Sequence, residues 1–184
     1  MGTNDRRIAH RIYENFVAPC DVGIDFHMST RGRTNVLHVR ADVDDPDVAR
    51  LANAFGTNLV IDGDGASGML RREATEDGVP TITVEIGEAH RFERELIDDA
   101  LDGARSVFAE LGVYRQELVR WPGWRTVVDQ GDTTWIRSDG GGIVDVHHQR
   151  GALVREGEVV CTVDDPFERE TVPVTAPFTG VLEI

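Results

Sequence analysis

The chain has 184 residues, 40% of them apolar, enough to bury the core of one medium domain and a small one. Its 33 acidic residues face 19 basic ones, all arginine, and the formal net charge is −14. Such a field repels polyanions, which excludes nucleic acid and an anionic membrane surface as partners.

In chain order, Thr3, Asn4 and Asp5 can cap a helix whose residues Ile8, Ile12, Tyr13, Phe16 and Val17 share one face, with Pro19 closing it. A strand is expected through "CDVGIDFH", and "NVLHVRA" alternates as a second one. "DDPDVARLANAFG" carries a helix start in Asp45-Pro46 and a stop at Gly56, and "TNLVID" reads as a short strand. After the glycine-rich loop "DGDGASGML", the β-branched run "PTITVEIG" predicts a buried strand. From Arg91 to Leu111 apolar residues such as Leu96, Ala100, Ala104 and Val107 recur at helical spacing, and Gly112 ends the run. This alternation predicts an α/β domain over residues 1–113, a mixed sheet with flanking helices.

Beyond Val113 short strands are punctuated by turns at "SDGGG", "QRGAL", "REGE" and "DDPFE", so residues 114–184 are expected to form a small all-β domain. "SDGGGIVDVHHQRGALVREGEVVCTV" has the logic of a half-barrel, and "TAPFTGVLEI" begins a second copy that stops where its own strands should follow. Open strand edges are normally covered. An incomplete C-terminus is therefore expected.

Cys20 and Cys161 form no CxxC pair, so neither a disulfide framework nor a cysteine zinc site is indicated. There is no N-terminal apolar signal region and no run long enough to span a membrane, so the chain reads as soluble and cytoplasmic. The acid-rich, lysine-free composition resembles that of proteins from salt-loving archaea. GC-rich coding would favour arginine over lysine but does not explain the excess of Asp.

Taken together, "DFHMSTRGRTN", "SGMLRREATEDGVPTITVEIGEA" and "VTAPFTGVLEI" resemble the succinylglutamate desuccinylase and aspartoacylase family of zinc-dependent deacylases. The resemblance implies a domain similar to zinc carboxypeptidases, followed by a small barrel like that of biotinyl and lipoyl domains. It implies zinc as cofactor, with His27 of the "D-x-H" element as one ligand. Glu85, in "TVEIG", falls where the family keeps its general base, which activates water and later protonates the leaving amine. Arg71, in "GMLRRE", resembles the arginine that polarises the scissile carbonyl, with the adjacent Arg72 as an alternative. Asp25 shares a strand face with His27 and is a candidate to hold its other ring nitrogen. Glu88 can reach the same end of the sheet, with no role carried over.

The departures bear on function. The family's "H-x-x-E" ligands and the Asn-Arg pair that grips a substrate carboxylate have no counterpart, and "MGTNDRRIAHRIYE" resembles the segment that follows that pair. The chain is therefore expected to be truncated, with the partners of His27 elsewhere. Without the resemblance, His27 reads as a strand-end histidine, and His38, His90, His147 and His148 read as surface or core residues. The glycine loop lacks the Gly-Lys-Ser/Thr of a phosphate cradle. The absence of lysine excludes a biotinyl or lipoyl carrier and Schiff-base catalysis, and there is no G-x-S-x-G.

Two readings follow. One is a zinc-dependent hydrolase of the amide bond of N-acylated amino acids or related small molecules, this chain lacking part of the site. The other is a non-catalytic remnant or scaffold that needs a separate N-terminal piece. The expected partners are a small acylated substrate and either a second copy or a complementing N-terminal segment, because an open sheet edge invites association.

Overall fold

The computed structural model describes residues 4–30, 32–113, 115, 126–167 and 170–183. Helix α1 (Asn4–Ile12) runs into a π-helical turn (Tyr13–Val17) and leads to strand β1 (Gly23–Ser29). There follow β2 (Asn35–Ala41), α2 (Pro46–Phe55), β3 (Leu59–Asp62), α3 (Leu70–Glu76), β4 (Thr81–Glu88), α4 (Arg94–Glu110) and β5 (Thr126–Asp129). The strands make a five-stranded sheet in the order β1-β4-β2-β3-β5. All its pairs are parallel except β2 with β4, so the sheet is mixed.

Helix α2 shows how local chemistry sets an element. Asp45 accepts hydrogen bonds from the Asp47 and Val48 amides at 2.9 and 3.0 Å, Pro46 opens the first turn, and Gly56 ends it at φ 83°. The helix buries Val48, Leu51, Ala52 and Phe55 against Leu37, Val39 and Ala41 of β2 and Ile82 and Val84 of β4. Helix α4 lies over Phe55, and a side chain at Gly103 would meet that ring at 2.6 Å. The close approach needs a residue without Cβ.

Because strand side chains alternate, placing these residues in the core turns their neighbours to the other side of the sheet. That second face carries Asp25 and His27 of β1, His38 and Arg40 of β2, and Thr83 and Glu85 of β4. Helix α3 packs on this side, and Tyr13 of the π-helical turn donates to Asp77 at 2.7 Å, pegging the N-terminal segment to the end of α3.

The remaining strands are β6 (Ile143–Val146), β7 (Leu153–Val154), β8 (Val159–Asp165), β9 (Glu170–Thr175) and β10 (Gly180–Val181). Strands β6, β8 and β9 form an antiparallel three-stranded sheet, and β7 pairs antiparallel with β10. Val154, Val160, Val163, Val174 and Ala176 are their common core. The closing "TGVL" pairs with "LV" of the first half, so the two halves share this small unit.

Several details differ from the sequence reading. The expected strand at "CDVGIDFH" begins at Gly23, and the helix expected from Arg91 begins at Arg94. Helix α3, unanticipated, occupies the stretch between the glycine loop and β4. The N-terminal helix changes to π geometry at Tyr13, and its apolar face is open: Ile8, Ile12 and Phe16 are 58%, 52% and 73% exposed. Thr3 of its expected cap lies outside the described residues. Strand β5, beyond residue 113, joins the large sheet through β3. Among the described residues no helix is long and apolar enough to cross a membrane.

The core hinges on Phe55, which is fully buried. Phe55→Ala is expected to lower the unfolding free energy by about 3–5 kcal/mol. Urea denaturation read by circular dichroism checks this, and an unchanged midpoint would refute the packing argument.

Candidate functional site

The face under α3 gathers the charged residues. Glu85 stands centrally, 14% exposed: its Oε2 accepts from Asn35 Nδ2 at 2.9 Å, Arg40 Nε lies 3.4 Å from Oε1, and His27 Nδ1 lies 3.8 Å from Oε1. A buried carboxylate without partners would be costly to ionise; here a cation and an amide meet it. Across the strands His27, Glu85 and His38 stand in register, one on each of β1, β4 and β2.

His27 is half exposed, and Asp25 accepts from its Nε2 at 2.9 Å. That bond places the ring proton on Nε2 and leaves Nδ1 as the lone pair. The arrangement suits an imidazole that ligates through Nδ1. Among the described residues, however, no group of three His, Cys, Asp or Glu side chains is placed to hold a metal ion. His147 and His148 are engaged within the β-domain by Thr162 and the Val159 carbonyl.

The two arginines of α3 separate clearly. Arg72 holds Asp64, Glu76 and the Gly65 carbonyl, within its own loop and helix. Arg71 is buried, donates to the Gly63 carbonyl at 3.3 Å and to Gln130 at 3.5 Å, and its Nε has no partner among the described residues. Burial, then the charge of Arg40, lowers its pKa, while Asp64, Glu85 and Asp25 pull the other way. Arg71 therefore belongs to the electrostatics of the Glu85 face. Gly65 makes room for it: at φ +86° this position favours glycine, and a Cβ would come within 2.9 Å of Arg71 Cζ.

Glu88, at the end of β4, accepts from the Gly32 amide at 3.1 Å and pairs with Arg91 at 2.7 Å, fixing the loop that follows β1. The β-domain closes on the same loop. Arg150 reaches Thr34 Oγ1 at 2.7 Å and Glu93 at 2.8 Å, and Arg33 lies over the Trp135 ring at 4.7 Å. Between the domains is an open cleft of about 390 Å³, lined by Thr34, Glu88, Arg91, Glu93, Gln149 and Arg150.

Sequence reasoning passed over Asn35, Arg40, His38 and Glu183. Strand alternation could have found Arg40, opposite in parity to Leu37, Val39 and Ala41, but not Asn35, which shares their parity and meets Glu85 because the register shifts between Asn35 and His38. His38, read as a surface or core residue, is fully buried on the site's face, with Nδ1 3.0 Å from Glu183 of the β-domain. Burial alone would push the Glu183 carboxyl up, but the hydrogen bond and charge of His38 and the charge of Arg40 outweigh it and hold the pKa below the usual value.

The Succinylglutamate desuccinylase/Aspartoacylase catalytic domain family matches residues 2–111. Among solved structures, the apo ectoine utilization protein EutE of Ruegeria pomeroyi superposes with TM-score 0.85 at 20% identity, over 99% of this chain and 60% of that one. A succinylglutamate desuccinylase of Silicibacter sp. TM1040 gives TM-score 0.79 at 24% identity, over 99% and 58%. A succinylglutamate desuccinylase/aspartoacylase of Rhodobacter sphaeroides gives 0.79 at 19%, over 98% and 57%. At these identities the likeness is one of fold, and the chain spans about 60% of the first structure's length. No curated protein matches the sequence.

The depressed Glu183 pKa fixes the sign of a pH effect. Its stabilisation is complete above the unfolded Glu value of about 4.3 and is lost as pH falls through the lower native value. The urea midpoints of the wild type and Glu183→Gln are expected to differ near neutral pH, and the gap to narrow as pH falls below the unfolded Glu value of about 4.3. A gap that stays constant would show that the carboxylate charge is not the cause.

Proposed function

The chain belongs to the succinylglutamate desuccinylase/aspartoacylase family, and from that premise we propose that it carries the general base, the substrate cation and one metal ligand of a zinc-dependent deacylase. The substrate class is the N-acylated amino acids or related small molecules. The observation that carries this reading is Glu85, a nearly buried carboxylate set between His27 and Arg40 on the covered face of the sheet.

In the reaction, water adds to the acyl carbonyl carbon while its proton passes to Glu85; the C–N bond then breaks, and Glu85 returns the proton to the departing amine. Arg71, held rigid by burial and by the Gly63 carbonyl, is the cation placed to steady the developing oxyanion. Asp25 keeps His27 in the tautomer that leaves Nδ1 free. A zinc ion bound there would lower the pKa of a water and polarise the carbonyl. The described residues supply one imidazole toward it, fewer ligands than such a site takes, so the remaining ligands are assigned to residues beyond these. The cleft between the domains is of a size suited to a small molecule, and its paired Arg and Glu side chains favour a polar, charged one.

A second reading is favoured by the ligand shortage and the open apolar face of α1: a non-catalytic scaffold that completes a site only with a separately supplied N-terminal segment.

Zinc content by elemental analysis, after dialysis against trace zinc in high salt, separates the two. About one zinc per chain with hydrolysis of an N-acylamino acid supports the enzyme; near zero, restored by adding an "H-x-x-E"-bearing segment, supports the scaffold. In whichever form binds zinc, His27→Ala is expected to abolish binding and Asp25→Asn to weaken it about 10–100-fold. Glu85→Gln should lower kcat by about 10²–10⁴ with zinc retained. Full zinc affinity in His27→Ala would refute the ligand assignment.

A further inference from the structure

The buried imidazole of His38 takes no part in the chemistry above. Its Nδ1 is 3.0 Å from Glu183 Oε1 and 3.0 Å from the Val36 carbonyl oxygen. Two acceptors face one nitrogen, so Nδ1 must carry the proton. Nε2 is then a fully buried nitrogen without a hydrogen-bond partner among the described residues. Such atoms are rare because they forfeit hydration, and a fold that accepts one is holding the ring for another purpose.

The setting of that ring is informative. His38 is in register with Glu85, on the adjacent strand and the same face of the sheet. Its carboxylate partner comes from the other domain, just past β10. The backbone there is locked by Leu182 N donating to the Ala152 carbonyl at 2.9 Å and by Gly151 N donating to the Leu182 carbonyl at 2.8 Å. The turn at Gly151 in turn sits on β2, where a Cβ would come within 3.2 Å of Val36 Cγ2. Arg40 belongs to the same group: its Nε is 3.4 Å from Glu85 Oε1, and its charge is also felt at Glu183. Glu183 thus holds the ring of the residue in register with Glu85, and the charge of Arg40, which lies against Glu85, acts on it as well.

We infer that Glu183 is a positioning residue for Glu85: by accepting from His38 Nδ1 and sharing Arg40, it makes the small β-domain part of the frame that holds the carboxylate. The role of Glu85 as a base rests on the deacylase reading, but the positioning itself does not, and the test needs no turnover. Fixing a histidine tautomer through a carboxylate on one ring nitrogen is a general device for setting a neighbouring site.

Long-range ¹H–¹⁵N correlation spectra of the full chain read the tautomer of His38, assigned by its loss in His38→Gln. The Asn35 side-chain amide, which donates to Glu85 Oε2 at 2.9 Å, reports on Glu85. Recorded at a pH where the ring is neutral, the wild type should show the Nδ1–H form alone. Glu183→Ala should give a mixture of tautomers and a displaced Asn35 amide, while Glu183→Gln, whose amide oxygen still accepts, should restore the Nδ1–H form. Unchanged His38 and Asn35 signals in Glu183→Ala would overturn the inference, because the Val36 carbonyl alone would then suffice. Should circular dichroism show the alanine variant unfolded, Glu183→Gln decides. Loss of the charge alone then shifts the Asn35 amide, and an unmoved amide overturns the inference.

Discussion

Strand register across β1, β4 and β2 is the constraint on which the rest of the molecule depends. With side chains alternating at every residue, the core residues Ile24, Val84 and Val39 compel Asp25, Glu85 and His38 to the opposite face. A slip by one residue in any of these strands would bury the charges in the core and expose the valines, so the burial of Phe55 and its neighbours also defends the geometry of the polar row.

That polar face is affordable only because its charges are arranged in opposition. Glu85 has Arg40 and Asn35, Asp25 has His27, and Glu183 has His38. Arg71 lies among the same groups, its Nε without a hydrogen-bond partner among the described residues. The β-domain supplies the outer wall through Arg150, Trp135 and Glu183, each touching the loop after β1 or the strand beside it. The two units thus meet around the polar row and not away from it.

What was legible in the sequence was what local chemistry writes. Asp45-Pro46 and Gly56 bounded α2 because capping acts within a turn, and the β-branched run at 81–84 marked β4 because it is buried on both faces. Helix α3 escaped because Met69 offers no side-chain cap and the helix is a short stretch after glycines. The periodicity of α1 announced a helix but not what would cover it, and its apolar face is open. His27 and Glu85 were found by resemblance, while His38 with Glu183 joins residues whose proximity is set only when the domains close. The ambiguity between Arg71 and Arg72 likewise needed burial: adjacent arginines look alike in a sequence and point to different neighbours on a helix.

One small contact has a mechanical side. Partial burial, the hydrogen bond to Asp77 and the nearby charges of Asp77 and Glu73 push the Tyr13 phenol up to about 12, so it stays a protonated donor throughout the physiological range. Glu73 follows Arg71 and Arg72 on the same short helix, and Asp77 caps its end. The N-terminal helix is thereby a lever whose short arm, the Tyr13 phenol, ends on the arginine-bearing segment, so a load on its bare outer side is felt at the helix that covers the polar face.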